Sequence, residues 1–471
     1  MGTRQQTLAH APHLGLRHDR VRDSGPARPR RDGEPAATAH APAAITGNAW
    51  VRPAAAILVV GWGANMFAAL LQIYRGQLSG LQVNGLFGSY ALGLVPALLI
   101  MAKVSDRLGR RRVLLAALLL SALGSVVILF SGGAFGTILA GRIIVGVSAG
   151  SAFGPGTAWI KELSDAGRAA GAGARRSAVA LTAGFAAGPF VSGIIVQWFP
   201  SPETAAYLVH IALVALTVPA VWRAPETARP HVGPVSRRGT ATDATGTGTG
   251  TADAAGTTGR AGTTGRAGTA GTADTARGGL RAALTSRVFL TAVLPTAPWV
   301  FGAATVALAA LPVLVPLGHY GPVGSGTVAA VTLGTGIMIQ PLARTLAERS
   351  PATPFRAGMA AAIVGMLVAA LTVATGSLVL LVATAVILGS AYGLLLVSGL
   401  RLVESLVPPQ DVATVIAIFY GLTYVGFAAP VLVQALSSFW NPATVLVAGS
   451  ALAVISLTAT FFAWPRTTVD D

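Results

Sequence analysis

Cysteine is absent from the 471-residue chain, which removes disulfides, thiol catalysis and Cys-ligated zinc or iron–sulfur centres from consideration. Charge is scarce as well. Only 11% of residues are Asp, Glu, Lys or Arg and 53% are hydrophobic, whereas an ordinary soluble domain carries about 25% charged residues. Lysine occurs twice, at Lys103 and Lys161, so arginine carries the net charge of +16. That charge needs no nucleic-acid partner. The arginines lie in a tail and in loops between apolar runs, and the inner leaflet of a cell membrane is itself anionic. No phosphate-cradling Gly-Lys motif points to ATP drive, and no cluster of His, Asp or Glu points to an acid–base or metal site. His10, His13, His18 and His40 are scattered without metal-site spacing. Neither an enzyme nor a metal or other cofactor is expected.

What is present is a succession of apolar runs, each near the roughly 20 residues that a helical membrane span requires. They lie at about 53–74, 86–104, 113–132, 136–160, 177–198 and 204–222, then at 288–313, 323–342, 357–375, 377–400, 412–436 and 441–464. The expected fold is all-α and integral to a membrane: twelve transmembrane helices as two six-helix bundles, 51–222 and 288–465. Residues 1–50 are polar and rich in Pro and Arg and read as a disordered N-terminal tail, with no apolar signal-peptide core after Met1. Residues 223–287 read as a low-complexity linker. Its stretch from Gly239 to Gly279 is almost wholly Thr, Ala and Gly, and GTTGRA occurs twice in tandem from Gly256. Residues 466–471 form a short tail. With the N-terminus inside, every Lys and Arg except Arg75 and Arg142 falls on the cytoplasmic side or at its membrane edge, so both termini are expected to be cytoplasmic in a multi-pass plasma-membrane protein.

Three motifs stand out. Between the second and third runs lies the basic turn Lys103-Val104-Ser105-Asp106-Arg107-Leu108-Gly109-Arg110-Arg111-Arg112. Gly109 suits the tight backbone at the next helix's start, and Asp106 can cap a helix or pair with an arginine. The fourth run places Arg142, Gly146, Gly150 and Gly154 at every fourth position, hence on one helix face, where small residues let another helix approach. Arg142 lies roughly 12 Å deep at 1.5 Å per residue. It either serves transport from a polar cavity or holds helices together through carbonyl oxygens. The fifth run contains Gly184, Gly188 and Pro189, a tight-packing segment in which proline is expected to bend the helix.

The Asp-Arg-x-Gly-Arg-Arg order resembles the loop between helices 2 and 3 of the major facilitator superfamily, with Ala102 and Val104 departing from its pattern. Arginine before a Gly-rich stripe resembles that superfamily's helix-4 pattern, where it is associated with proton coupling in drug exporters. The run from Gly184 to Gly193 resembles the end of the exporters' antiporter motif, with Ser192 and Arg175 in place of glycines. Pro341 to Arg349 is a worn echo of the basic loop in the second half. The resemblance implies a two-bundle transporter, expected to be monomeric, working by alternating access around a central cavity. In it Asp106, Arg107, Gly109, Arg110 and Arg111 would gate the cytoplasmic side.

No Asp or Glu is placed in the middle of a run; Glu203 falls at the outer edge and Asp106, Glu162, Glu348, Glu404 and Asp411 at the inner. His210 is the titratable group inside a run, open to reading as a proton switch near Arg142 or as a hydrogen-bonded packing residue. Candidate cavity residues are Asn65, Gln72, Trp299, Gln340, Tyr392, Tyr420 and Tyr424. Aromatics with few charges suit bulky apolar ligands, while Arg142 and His210 favour an anion, and these pulls disagree. The expected function is proton-coupled efflux of drugs or small metabolites. The alternative is uptake or facilitated transport of a small anionic or polar solute in the same fold.

Overall fold

The structure, a computed structural model, describes residues 48–165, 172–227, 280–408 and 411–463. The expected tail at 1–47, most of the expected linker (228–279) and the C-terminal residues 464–471 lie outside the described residues. Among those described, twelve helices are long and apolar enough to cross a membrane. The first six are α1 Val51–Tyr74, α2 Gly80–Leu108, α3 Arg110–Leu129, α4 Phe135–Ser164, α5 Arg175–Trp198 and α6 Pro202–Trp222. The second six are α7 Phe289–Leu314, α8 Gly318–Arg349, α9 Ala352–Thr375, α10 Leu378–Ser405, α11 Thr414–Leu436 and α12 Pro442–Ala463.

Several helices overrun the apolar runs that announced them. α2 starts at Gly80, six residues before the run at 86–104, because Ser79 and Gln82 form a capping box. The Ser79 hydroxyl accepts from the Gln82 amide at 3.3 Å and the Gln82 side chain accepts from the Ser79 amide at 3.0 Å. Polar residues capped in this way continue a helix beyond its lipid-facing length. Within the stretch expected as linker, residues 280–285 are helical and residues 223–227 dock against the basic loop.

α1 and α7 lie innermost, with 83% and 78% of their apolar windows buried, against 33% for α6 and α12. Leu119, Leu216, Val379 and Phe462 point outward, an apolar surface for lipid to cover. The two halves, α1–α6 and α7–α12, meet where α5 packs on α8, α2 on α11 and the end of α1 on α8.

Candidate cavity and gates

Aromatic side chains from α2, α7, α10 and α11 converge between the halves. Phe301 stacks on Tyr424 at 4.8 Å between ring centroids and on Tyr392 at 5.6 Å, and lies 5.2 Å from Phe427. Tyr424 lies 5.5 Å from Phe427 and 6.4 Å from Tyr420. From the other half, Tyr90 meets Phe427 edge-on at 5.1 Å and Phe87 stacks on it at 6.0 Å. The backbone brings these rings together. Pro430 has no amide hydrogen to give the Gly426 carbonyl, and α11 tightens to a 3-10 turn at Val425–Ala428. The Gly426 oxygen accepts instead from the Thr305 hydroxyl of α7 at 3.1 Å. A Cβ at Gly426 would collide with the Gly302 amide, so α7 and α11 cross at closest approach beside Phe301 and Phe427.

The Tyr424 hydroxyl is within electrostatic range of those of Tyr90, Tyr392 and Tyr420. None of the four hydroxyls has a hydrogen-bond partner among the described residues, and none is sealed in protein. The charges that reach this group are Arg142, near Tyr90, and Glu404, near Tyr420. Of the cavity candidates named from sequence, the structure brings Tyr392, Tyr420 and Tyr424 together and sends others elsewhere. Trp299 donates to Ser456 of α12 at 3.1 Å, and Asn65 donates to the Gly61 carbonyl of its own helix at 3.2 Å. Gln340 sits part-buried at a break in α8, just before Pro341. Phe301, Phe427, Tyr90 and Phe87 were missed. The spacing of Tyr420, Tyr424 and Phe427 along one helix face was the signal for Phe427.

Arg142 is 1% exposed and spends its donors on backbone. Nε donates to the Leu86 carbonyl, one Nη to Ala64 and the other to Phe87, each at 3.1 Å. Its guanidinium also lies 4.4 Å from the Phe67 ring centroid and 5.1 Å from that of Tyr90. α4 is thereby tied to both α1 and α2. Gly146 and Gly150 on the same stripe press on the Tyr90 and Leu94 carbonyls, whereas Gly154 faces open space. His210 is fully buried, with Nδ1 2.8 Å from the Ser125 hydroxyl and Nε2 3.3 Å from the Val59 carbonyl. It packs at a junction of α1, α3 and α6. Nearer the start of α6, the Tyr74 hydroxyl donates to the Glu203 carboxylate at 2.5 Å and lies 3.3 Å from the Tyr207 hydroxyl. Tyr74 and Tyr207 are both within electrostatic range of Arg142.

The basic loop is organised by an acid that sequence reading passed over. The Glu226 carboxylate accepts from the backbone amides of Arg110 and Arg111, both at 3.0 Å, at the N-terminus of α3, where amides and helix dipole favour an anion. Gly109 takes φ 97° there, and a Cβ on it would meet Glu226. Arg110 pairs with Asp106 at 2.7 Å and with Glu162 at 3.1 Å. Arg111 donates to the Trp222 carbonyl at 3.3 Å. These bonds all stay within the first half. Arg107 lies exposed in the last turn of α2.

Contact between the halves is concentrated on the opposite, distal face. Gln72 donates to the Pro312 carbonyl at 2.7 Å and to the Ser325 hydroxyl at 2.9 Å, and Gln197 donates to the His319 carbonyl at 2.8 Å. Gln72 thus bridges the two halves. Gly193 and Gly326 face each other across α5 and α8, and a Cβ at Gly326 would strike the Pro189 carbonyl. Gly184 and Gly188 rest on Leu58 and Trp62 of α1, and α5 continues as one helix through Pro189.

No match to a curated protein sequence was found. Among solved structures, the chain is similar to the nucleoside transporter NupG, with TM-score 0.65, 13% identity, and 88% of this chain and 99% of that one covered. It is also similar to a POT family transporter in complex with 5-aminolevulinic acid, with TM-score 0.63, 12% identity, and 88% and 94% covered. At such identity these show a shared fold alone. Residues 54–429 match the model of the family described as Major Facilitator Superfamily. With twelve apolar helices in this arrangement, the chain belongs to the Major Facilitator Superfamily and is a multi-pass membrane transporter, not an enzyme.

Proposed function

We propose that the chain is a secondary active transporter that expels neutral, flat aromatic compounds from the cytoplasm in exchange for protons. The observation that carries the reading is the ring cluster around Phe301, with four tyrosine hydroxyls that have no hydrogen-bond partner among the described residues. Rings stack on a flat solute, and hydroxyl donors suit carbonyl or ether oxygens at its rim. With one cation and one carboxylate in reach, the site does not select strongly for charge. Uptake of a small anionic or polar solute rested on the lack of buried carboxylates and on Arg142 and His210, and both of these basic groups are committed to protein partners.

Taking the basic loop as cytoplasmic, the distal closure corresponds to an inward-facing state, and the two halves rock about the cluster to expose it outside. Every carboxylate among the described residues lies at or beyond a helix's end turns. Glu203 is hydrogen-bonded to buried Tyr74, which is itself within electrostatic range of Arg142, and is proposed to take the proton from outside.

The test is efflux of a neutral carbonyl-bearing aromatic dye from expressing cells, with and without a protonophore. Protonophore-sensitive efflux is expected, abolished by Glu203→Gln. Removing two hydroxyls with Tyr392→Phe and Tyr424→Phe should raise the half-saturating concentration about 10-fold, at roughly 0.5–1.5 kcal/mol per hydrogen bond. Dye movement indifferent to the protonophore and to all three substitutions would overturn the proposal.

A further inference from the structure

Beside the first turns of α1, and apart from the aromatic cluster, lies a cavity of about 380 Å³. Its walls are apolar: Ala54, Ala55 and Leu58 of α1 face Val179 and Ala183 of α5. Its rim is the opposite. Trp50, Arg175 and Arg176 stand there, with the Arg176 guanidinium 4.4 Å from the Trp50 ring centroid. One Arg176 Nη and the Trp50 indole nitrogen are buried without a hydrogen-bond partner among the described residues. Among the described residues no carboxylate lines the cavity and neither arginine forms an ion pair.

Buried donors left unpaired are costly, and two adjacent guanidiniums without a counter-ion repel each other. One acceptor-rich anion at the rim relieves both. The apolar walls below suit a hydrocarbon chain, so the fitting ligand is an anion joined to an apolar tail. Trp50 and Arg175 stand at the ends of two spans, α1 and α5, on the face that carries the basic loop. That is headgroup depth in a bilayer, where indole rings and arginines gather and basic pockets between helices hold anionic headgroups. We propose that this cavity binds an anionic phospholipid of that leaflet, its phosphate accepting from Arg176 and Trp50 and its upper acyl chain lying against Ala55 and Leu58. A lipid there clamps α1 to α5, the two helices that Gly184 and Gly188 already hold at close contact.

The experiment is native mass spectrometry of the purified full-length protein, offered dioleoyl phosphatidylglycerol or dioleoyl phosphatidylcholine at equal concentration. Wild type should retain phosphatidylglycerol about 25-fold more tightly, at about a factor of five per basic residue. The Arg175→Gln/Arg176→Gln variant should lose that preference. Ala55→Trp keeps both arginines but fills the cavity and should lose the bound lipid too; it decides the matter if the arginine variant fails to fold by circular dichroism. Dodecyl phosphate should displace the lipid and inorganic phosphate should not. Equal retention of the two lipids, retention unchanged in Ala55→Trp, or displacement by inorganic phosphate alone would each overturn the assignment.

Discussion

Asn84 is fully buried in α2, and among the described residues neither its amide nitrogen nor its carbonyl oxygen has a hydrogen-bond partner. Its neighbours on the same helix face say where it points. Gly80, one turn before, lies against Gln434 of α11, and Gly88, one turn after, lies against the Phe427 carbonyl. Asn84 is therefore pressed into the seam between the halves on the distal face. An unsatisfied buried amide costs about 1–3 kcal/mol, and the cost disappears when the seam opens and water reaches it. Asn84→Leu keeps the side chain's approximate size and removes the mismatch. It should stabilise the closed seam by that amount and shift the closed-to-open ratio about 5- to 150-fold. The chain contains no cysteine, so a single reporter is clean. Ser325→Cys fits, because Ser325 is fully buried in the same layer, and the Gln72–Ser325 hydrogen bond it removes is lost from both backgrounds alike, so the comparison isolates Asn84. Labelling of that cysteine by a membrane-impermeant thiol reagent should slow at least 5-fold when Asn84→Leu is added, and transport should slow with it. Unchanged or faster labelling would show that Asn84 is not under strain in the closed seam.

The glycine stripe of α4 offers a contrast within one motif. Gly146→Ala drives a Cβ into the Tyr90 carbonyl and should cost about 1–3 kcal/mol, seen as a lowered Tm, whereas Gly154→Ala meets open space and should gain up to about 1 kcal/mol from helix propensity. Glu226→Ala removes the acceptor for two amides at the start of α3 and should cost about 1 kcal/mol, with faster amide exchange at Arg110 and Arg111 as the readout.

Hydropathy carried the fold almost unaided, since twelve apolar runs become twelve helices whose order fixes the two halves. Gly109 was readable as the tight turn before α3, but other helix ends were less legible, because the Ser79–Gln82 capping box and the Glu226 cap of α3 are polar contacts that hydropathy does not register. Of the cluster, Tyr392, Tyr420 and Tyr424 were readable as aromatic residues inside apolar runs. Their partners Phe301 and Tyr90 were not, because what joins them is the crossing of α7 with α11 and of α2 with α11, more than a hundred residues apart in sequence. Glu226 was hidden for a different reason. It sits in a segment that composition assigns to a linker, and its role comes from the helix start it happens to cap.

The environment of Arg142 joins the aromatic cluster to the distal seam. An unpaired cation inside a membrane protein is tolerable only if its donors are met, and here helix carbonyls meet them instead of a carboxylate. Two of those carbonyls belong to Leu86 and Phe87, and the Phe87 ring stacks on Phe427 across the seam. Tyr90, one turn further along α2, places its ring under the same guanidinium and against the same Phe427. Any motion that parts α2 from α11 therefore begins at residues whose backbone Arg142 is holding. If the seam opens by tilting the first half as one body, the three hydrogen bonds survive and Arg142 acts as a rivet. If it opens by bending α2 alone, the bonds at Leu86 and Phe87 must stretch. Gly146 and Gly150, pressed on the Tyr90 and Leu94 carbonyls, resist that bend by locking α2 to α4 along two further turns. Close packing and hydrogen bonding thus favour the same motion, with α1, α2 and α4 moving together and the seam to α11 giving way first.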